Sequence, residues 1–405
     1  SSDLLDDNTL CSQIKKLLPG HYILIKDNKI SSYKYFSLPE EYNESISESE
    51  AIEQIDVLFR QAIHLQFDKD IEYGYKHLVG LSGGLDSRMT SWIAHEMGYT
   101  NQLNFTFSQS DYLDETIPKK IAADLKHEWI FKALDNGLFL KDIEEINFIS
   151  GGSALYYGLA HANSMLKYLN FENLGILHSG QLGDVVIGTF ISQQKKKYEI
   201  NGAKAYSNKL TEKVKNKQNV YCEREFENLM FLRRGFNGAN TGLLVAQFFT
   251  ETFSPFYDLD LLNFCLQIPN KKRIGHNLYI KCILKKYPDS ASYIWESTKM
   301  KPGARIMKIH YKGKSIPIKN ITPWLMQKIG AKQPSNETRH GMNPLDYWYK
   351  TNNDIKQFQD NYFDENISKI GIQKLKEDCE MLYKTGNAIE KNQVLTLLSA
   401  IKLYW

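Results

Sequence analysis

The feature that most constrains this chain is the alternation that begins at residue 77. "HLVGL" is a short apolar run suited to a buried strand, and Asp86–Met97 carries the spacing of an amphipathic helix. "QLNFTF" predicts the next strand, Glu115–Leu125 the next helix and "HEWIF" a third strand. After a further helical stretch, "LGILHSG" predicts a fourth strand. Strands separated by helices cannot pair as hairpins, so they pair in parallel with the helices laid over the sheet. The expected fold class is α/β, a doubly wound parallel sheet followed, beyond about residue 200, by a mainly helical C-terminal part. Ligands of such sheets sit beyond the strand C-termini, where the strand order reverses.

Upstream, "LLPGHYILIKDNKISSYKYFSLP" reads as two short strands joined by a turn at Asp27-Asn28. A helix from about Glu48 to Leu65 presents Ile52, Ile55, Phe59 and Ile63 on one face. Ser47 and Glu50 have capping-box spacing at its start, and Ser45 with Glu48 offers the same spacing.

Composition narrows the function classes. Across 405 residues the hydrophobic content is 42% and the charged content 24%, enough apolar matter for a sizeable core. A net charge of +3 gives no electrostatic ground for nucleic-acid binding, and the clusters Lys15-Lys16 and Lys195-Lys196-Lys197 read as solvated surface. Five scattered cysteines with no CxxC pair argue against a disulfide framework or a zinc site and suit a reducing, cytoplasmic setting. The longest clear apolar run, near Leu243–Phe249, is far short of the ~18 residues of a membrane span. The N-terminal "SSDLLDDNTL" has neither a signal-like apolar region nor an initiating methionine, which fits a processed product or a fragment.

The chemistry is concentrated in two loops. Ser82-Gly83-Gly84-Leu85-Asp86-Ser87 lies between a strand and a helix. Glycines allow close backbone approach, amides at a helix start favour an anion, and Ser82 and Ser87 add hydroxyls. Asp86 would repel a phosphate unless a cation intervened, and Mg²⁺ is the usual hard partner. The plainer reading is a tight turn with Ser or Asp as a cap. Neither GxxxxGK[ST] nor GxGxxG is present here, and Gly313-Lys314-Ser315 has Lys308 where the first glycine belongs. The second loop, Ser179-Gly180-Gln181-Leu182-Gly183-Asp184, repeats the grammar of small residues followed by one carboxylate. On adjacent strand ends the two loops could hold a nucleotide between them, with Asp86 and Asp184 ligating Mg²⁺.

SGGLDS resembles the SGGxDS hallmark of the PP-loop ATP pyrophosphatases, and the second loop is similar to the SGEGxDE loop of the asparagine synthetases within that group. The resemblance is strongest over residues 77–131, 174–190 and 250–305. It implies a PP-loop, adenine nucleotide alpha hydrolase-like fold and a synthetase domain over 46–405. Residues 1–45 would be the last hairpin of an N-terminal glutaminase-like domain. It further implies ATP- and Mg²⁺-dependent amide-bond formation through an acyl-adenylate, with release of AMP and pyrophosphate. The nucleotide would be held by Leu81, Ser82, Gly83, Gly84, Asp86, Ser87, Phe107, Ser179 and Gly180, the metal by Asp86 and Asp184.

Phe256, Asp258, Pro269 and Lys281 match the family's downstream segment in order, and "IWESTKMKPGAR" falls where its mobile lysine lies. Lys281 and Lys299 are therefore the expected catalytic cations, with Lys301 a near rival for the latter. Gln181 stands where the family has glutamate, Leu182 where it has a second glycine and Val185 where it has a second acid. An amide can hydrogen-bond but cannot take a proton, which favours a specialised amidation over ammonia-dependent asparagine synthesis. The partners implied are a small-molecule or peptide carboxylate and an amine donor, in a homodimer or with a separate amidotransferase. A β-lactam-type or macrolactam cyclase and a non-catalytic nucleotide-binding scaffold are the competing readings.

Overall fold

The computed structural model describes residues 7–9, 11, 13–199, 207, 209–210, 220–304, 308–311, 314–317 and 341–405. Three antiparallel pairs stand apart from the main sheet: β1 (His21–Lys26) with β2 (Lys29–Lys34), β7 (Tyr198–Glu199) with β8 (Val220–Tyr221), and β10 (Lys308–Tyr311) with β11 (Lys314–Pro317). The first is the expected hairpin. Its turn residues Asp27 and Asn28 take φ of 50° and 59°, the left-handed pair that matches strand twist. Lys314 and Ser315 sit on an antiparallel strand rather than before a helix, which removes them from phosphate-loop geometry, and Gly313 lies outside the described residues.

The main sheet has five parallel strands in the order β5–β4–β3–β6–β9, where β3 is Lys76–Gly80, β4 Gln102–Ser108, β5 Glu128–Ala133, β6 Leu174–His178 and β9 Thr252–Phe253. The chain steps one way from β3 to β4 and β5, then returns to the other side of β3 as β6. The strand order therefore reverses between β3 and β6.

The helices are α1 (Glu48–Glu72), α2 (Asp86–Glu96), α3 (Leu113–Asp124), α4 (Ile143–Ser150), α5 (Tyr157–Leu166), α6 (Glu223–Met230), α7 (Leu244–Gln247), α8 (Leu259–Gln267), α9 (Asn270–Arg273) and α10 (Asn277–Lys286). Further helices span Leu345–Thr351, Asn353–Asn366, Gln373–Thr385 and Ala388–Tyr404. At the start of α1 the Glu50 amide donates to the Ser47 hydroxyl and the Ser47 amide to the Glu50 carboxylate, while Ser45 bonds Asn43 instead. The helix runs past the expected Leu65 to Glu72 because Phe67 and Asp70 continue its buried face.

Neighbouring β3 residues feed opposite cores. Val79 packs with Ile55, Phe59, Ile93 and Ile283, whereas Leu78 packs with Phe105, Leu159, Leu177 and Leu395. Helices therefore cover both faces, as the alternation predicts. Each such side chain contributes about 1.5–3 kcal/mol by leaving water. Among the described residues no helix is long and apolar enough to cross a membrane.

One irregularity sets the position of β6. Its pairing with β3 shifts register between Lys76 and Leu78. The Ile176 amide donates to Asp70 Oδ1 at 2.8 Å, and His77 Nδ1 and His178 Nε2 both lie 2.7 Å from Asp70 Oδ2. A Cβ on Gly175 would stand 2.1 Å from Asp70 Oδ1, so only glycine admits the carboxylate. Burial alone would raise the Asp70 carboxyl, but hydrogen bonds from His178 and His77 outweigh it and hold it below its usual value. Because His178 is the last residue of β6, this buried knot fixes the strand end from which the second loop departs.

Candidate functional site

β3 and β6 are neighbours, so the loops leaving them are neighbours as well. Ser82–Ser87 turns from β3 into α2, and Ser179–Gly183 turns from β6 into a π-helical turn, Asp184–Gly188. Two glycines let them touch. A Cβ at Gly180 would stand 2.3 Å from the Ser87 amide nitrogen, and one at Gly183 would stand 2.6 Å from both the Asp86 carboxyl carbon and the Phe256 ring. The contact brings the Asp184 amide to Asp86 Oδ2 at 2.9 Å. Gly180→Ala must push backbone away from backbone, and we expect it to cost about 1–3 kcal/mol as a lowered melting temperature. A melt identical to wild type would contradict this contact.

Between the glycines, Leu182 takes φ of 66° with its side chain buried. The left-handed region costs a residue bearing a Cβ about 1–2 kcal/mol, which the buried isobutyl group offsets. The loop thus keeps a glycine-like turn at the position where the sequence departs from a second glycine.

The loops floor a cavity of about 640 Å³. One end is polar, lined by Ser82, Asp86, Ser87, Ser179 and Asp184, and the other is apolar, lined by Phe105, Phe107, Ala162, Leu166 and Leu177. Asp86, Asp114, Asp184 and Glu296 are on its walls, yet among the described residues no lysine or arginine is. Burial and then the charge of Asp184 push the Asp86 carboxyl well above its usual value. Burial also raises Asp184, with His276 opposing it, and raises Asp114, with the Gly83 amide opposing it. Paired carboxylates of this kind, one half-buried and one exposed, are hard oxygen donors short of a counter-charge, the chemistry that a divalent cation satisfies.

The sequence candidates divide in two. Leu81, Ser82, Gly84, Asp86, Ser87, Phe107, Ser179, Gly180, Gln181 and Asp184 all line the cavity. Gly83, Lys281 and Lys299 do not. The loop's early amides are not an open anion nest: Ser82 N donates to Ser87 Oγ, Gly83 N to Asp114 Oδ1 and Gly84 N to Ser82 Oγ. Asp114, in the first turn of α3, thus holds Gly83, and α3 starts without a side-chain cap. What the loop offers a guest is the uncapped start of α2.

Lys281 points away from the cavity because it sits two residues from Tyr279, across the axis of α10. Tyr279 lines the cavity, whereas Lys281 Nζ pairs with Glu48 at 2.6 Å on the surface. Lys299 is exposed on a tight turn at φ of 58°, its amide bonded to the Trp295 carbonyl, while Trp295, Glu296 and Ser297 before it line the cavity. Lys301 is exposed as well, and Arg305 lies outside the described residues.

Four contributors went unnoticed in the sequence: Arg88, His161, His276 and Tyr279. Arg88 is fully buried, its Nη atoms donating to the carbonyls of Gly83, Ser290, Tyr293 and Ile294, so that one guanidinium ties the first loop to the segment ahead of Trp295. Its position directly after SGGLDS was the available signal.

Gln181 is held by its backbone, its amide on Ser179 Oγ and its carbonyl on Ser254 Oγ. Its side-chain Nε2 reaches the Ala239 carbonyl at 3.4 Å, at the edge of a second cavity of about 370 Å³ that shares Gly158 and Gly242 with the first. Arg234 lies on the wall of that second cavity. A different cluster, Asp70, His77 and His178, also brings ligand-type atoms within 4.8 Å of one another, but the nitrogens facing Asp70, His77 Nδ1 and His178 Nε2, are already hydrogen-bonded to it.

No protein-family model matches the chain, and no curated protein matches it. The residues themselves therefore carry the functional argument.

Proposed function

We propose that this chain is an ATP-dependent, AMP-forming amide ligase of the asparagine synthetase type, built on a PP-loop fold. The observation that carries the reading is the meeting of Ser82–Ser87 with Ser179–Asp184 at the reversal point of a parallel sheet, with Asp86 and Asp184 side by side on the cavity floor. A guest with an apolar planar end and a polyanionic end fits the division of the cavity. Its phosphates would lie over the start of α2 and the hydroxyls of Ser82, Ser87 and Ser179. A wall bearing four carboxylates and, among the described residues, no lysine or arginine admits such an anion only together with cations, and the carboxylate pair fits Mg²⁺ in donor type and charge. Asp86 and Asp184 would hold it, and when bound it supplies the charge that steadies departing pyrophosphate.

The acid to be activated would enter by the second cavity, where Arg234 supplies the cationic group that recognises an anion. Its carboxylate oxygen attacks the α-phosphorus of ATP, the bond to the β-phosphate oxygen breaks, and pyrophosphate leaves. An amine then attacks the acyl carbon and AMP departs. Gln181, at the junction of the cavities, orients that amine but cannot deprotonate it. The hairpin β1–β2, with Tyr22, Leu24, Ile25 and Ile30 exposed, accords with the tail of a glutaminase-like domain.

A second reading, a nucleotide-binding scaffold without turnover, draws on the absence of lysine and arginine from the described cavity lining and on Gln181. Calorimetry tests what both share. MgATP should bind, and ATP in EDTA should bind at least about tenfold more weakly. Equal binding with and without the metal would overturn the carboxylate-pair account.

A further inference from the structure

The apolar end of the first cavity contains one polar ring, and its hydrogen-bonding state can be deduced. His161 on α5 lines the cavity beside Phe107, whose ring meets it edge-on with centroids 4.7 Å apart. Phe139 approaches from another side at 6.4 Å, so the imidazole plane is held by packing. His161 Nδ1 lies 3.2 Å from the Tyr157 carbonyl oxygen. A carbonyl oxygen only accepts, so Nδ1 carries the proton. Burial pushes the His161 pKa down to about 4, so the ring is neutral near pH 7 and Nε2 presents a lone pair.

At the neighbouring strand ends the Leu81 backbone and the Thr106 hydroxyl are already engaged. The Leu81 amide donates to the Phe105 carbonyl, and the Leu81 carbonyl accepts from Thr106 Oγ1 at 2.6 Å. Thr106 Oγ1 in turn accepts from Trp129 Nε1. His161 Nε2 is thus a side-chain acceptor that this end of the cavity offers a guest.

We infer that His161 determines base specificity, accepting through Nε2 a hydrogen bond from the exocyclic amino group of a 6-aminopurine nucleotide and discriminating against a 6-oxopurine. This rests on the nucleotide reading given above. A 6-oxo group sets an acceptor against an acceptor in a site that water cannot easily relieve, and such a mismatch costs about ten- to a hundredfold in affinity. The flanking Phe105 and Phe107 rings and Leu177 give the base its apolar contact but cannot tell one purine from another.

The test is calorimetric titration of the full chain with ATP, inosine triphosphate and N6,N6-dimethyl-ATP, each with Mg²⁺. Wild type should bind ATP about ten- to a hundredfold more tightly than either analogue, since one has lost the amino group and the other its N–H. His161→Phe keeps an aromatic ring and removes the acceptor, so ATP should fall to the level of inosine triphosphate. His161→Gln restores an acceptor and should recover part of the preference. Equal affinity of wild type for the three triphosphates would overturn the inference without needing any variant, as would an undiminished preference in folded His161→Phe. Failure of all three to bind would overturn the nucleotide reading itself, which is distinguishable from binding without discrimination.

Discussion

Asp86→Asn should yield a metal-free protein that melts higher than wild type at pH 8, with the difference shrinking as the pH falls. Asp86 is half-buried beside Asp184, and desolvation together with that neighbouring charge raises its carboxyl well above the usual value in the folded chain. A carboxyl raised on folding binds its proton more tightly folded than unfolded. Its stabilising contribution is therefore complete below the unfolded value near 3.8 and is lost as pH rises through the folded value. Asparagine cannot ionise, so the variant escapes that loss while its side-chain oxygen can still accept from the Asp184 amide. The same substitution removes half of the carboxylate pair, and we expect any magnesium-dependent nucleotide reaction to fall by about a hundredfold or more. Melting curves at pH 5 and pH 8 with a parallel turnover assay check both halves. A variant less stable than wild type at pH 8, or equally active, would contradict the assignment.

Glu227→Ala should be the most damaging single change to stability, at about 3–5 kcal/mol. Glu227 on α6 is fully buried, and its two oxygens accept from Arg224, Arg273, Asn270 and Thr189. Removing it strands two guanidiniums in a medium that cannot solvate them. Arg273 also donates to the carbonyls of Val185, Val186 and Gly188, which close the π-helical turn begun by Asp184. The loss should therefore reach the second loop and show in the melting temperature together with nucleotide affinity. Glu227→Gln, which keeps the shape and some hydrogen bonds, should fall between. A loss below about 1 kcal/mol for alanine would mean that the network relaxes freely.

Much of this architecture is legible in the residues. Alternating apolar segments predict the parallel sheet, and the adjacency of the two loops, a condition of the nucleotide reading, is met by the pairing of β3 with β6. Of the two capping-box spacings ahead of α1, Ser47–Glu50 is the one the helix uses. What fails is orientation. In α10 the buried residues Leu278, Tyr279, Cys282 and Ile283 define the inward face, and Lys281 falls outside it. The helical phase of that segment puts Tyr279, not Lys281, on the inward face. Asp114 has the composition of a cap, but its partner is Gly83, thirty-one residues back, and no local pattern announces that bond. His161 is the one histidine on a largely apolar helix that also carries Asn163 and Ser164, a setting that more often denotes a packed core residue. Only the fold of α5 over β4 places it at the cavity. The two-residue strand β9 is too short for any periodicity to reveal.

The central claim is that Asp86, Asp184 and the two loops around them serve cleavage of ATP between its α and β phosphates. Exchange of labelled pyrophosphate into ATP tests it most directly, because only reversible formation of an adenylate returns the label. With Mg²⁺ and a panel of amino, uronic and peptide carboxylates, at least one acid should elicit exchange in wild type, and Asp86→Asn should abolish it. MgATP binding with no exchange across the panel, or cleavage to ADP and phosphate instead, would contradict the account.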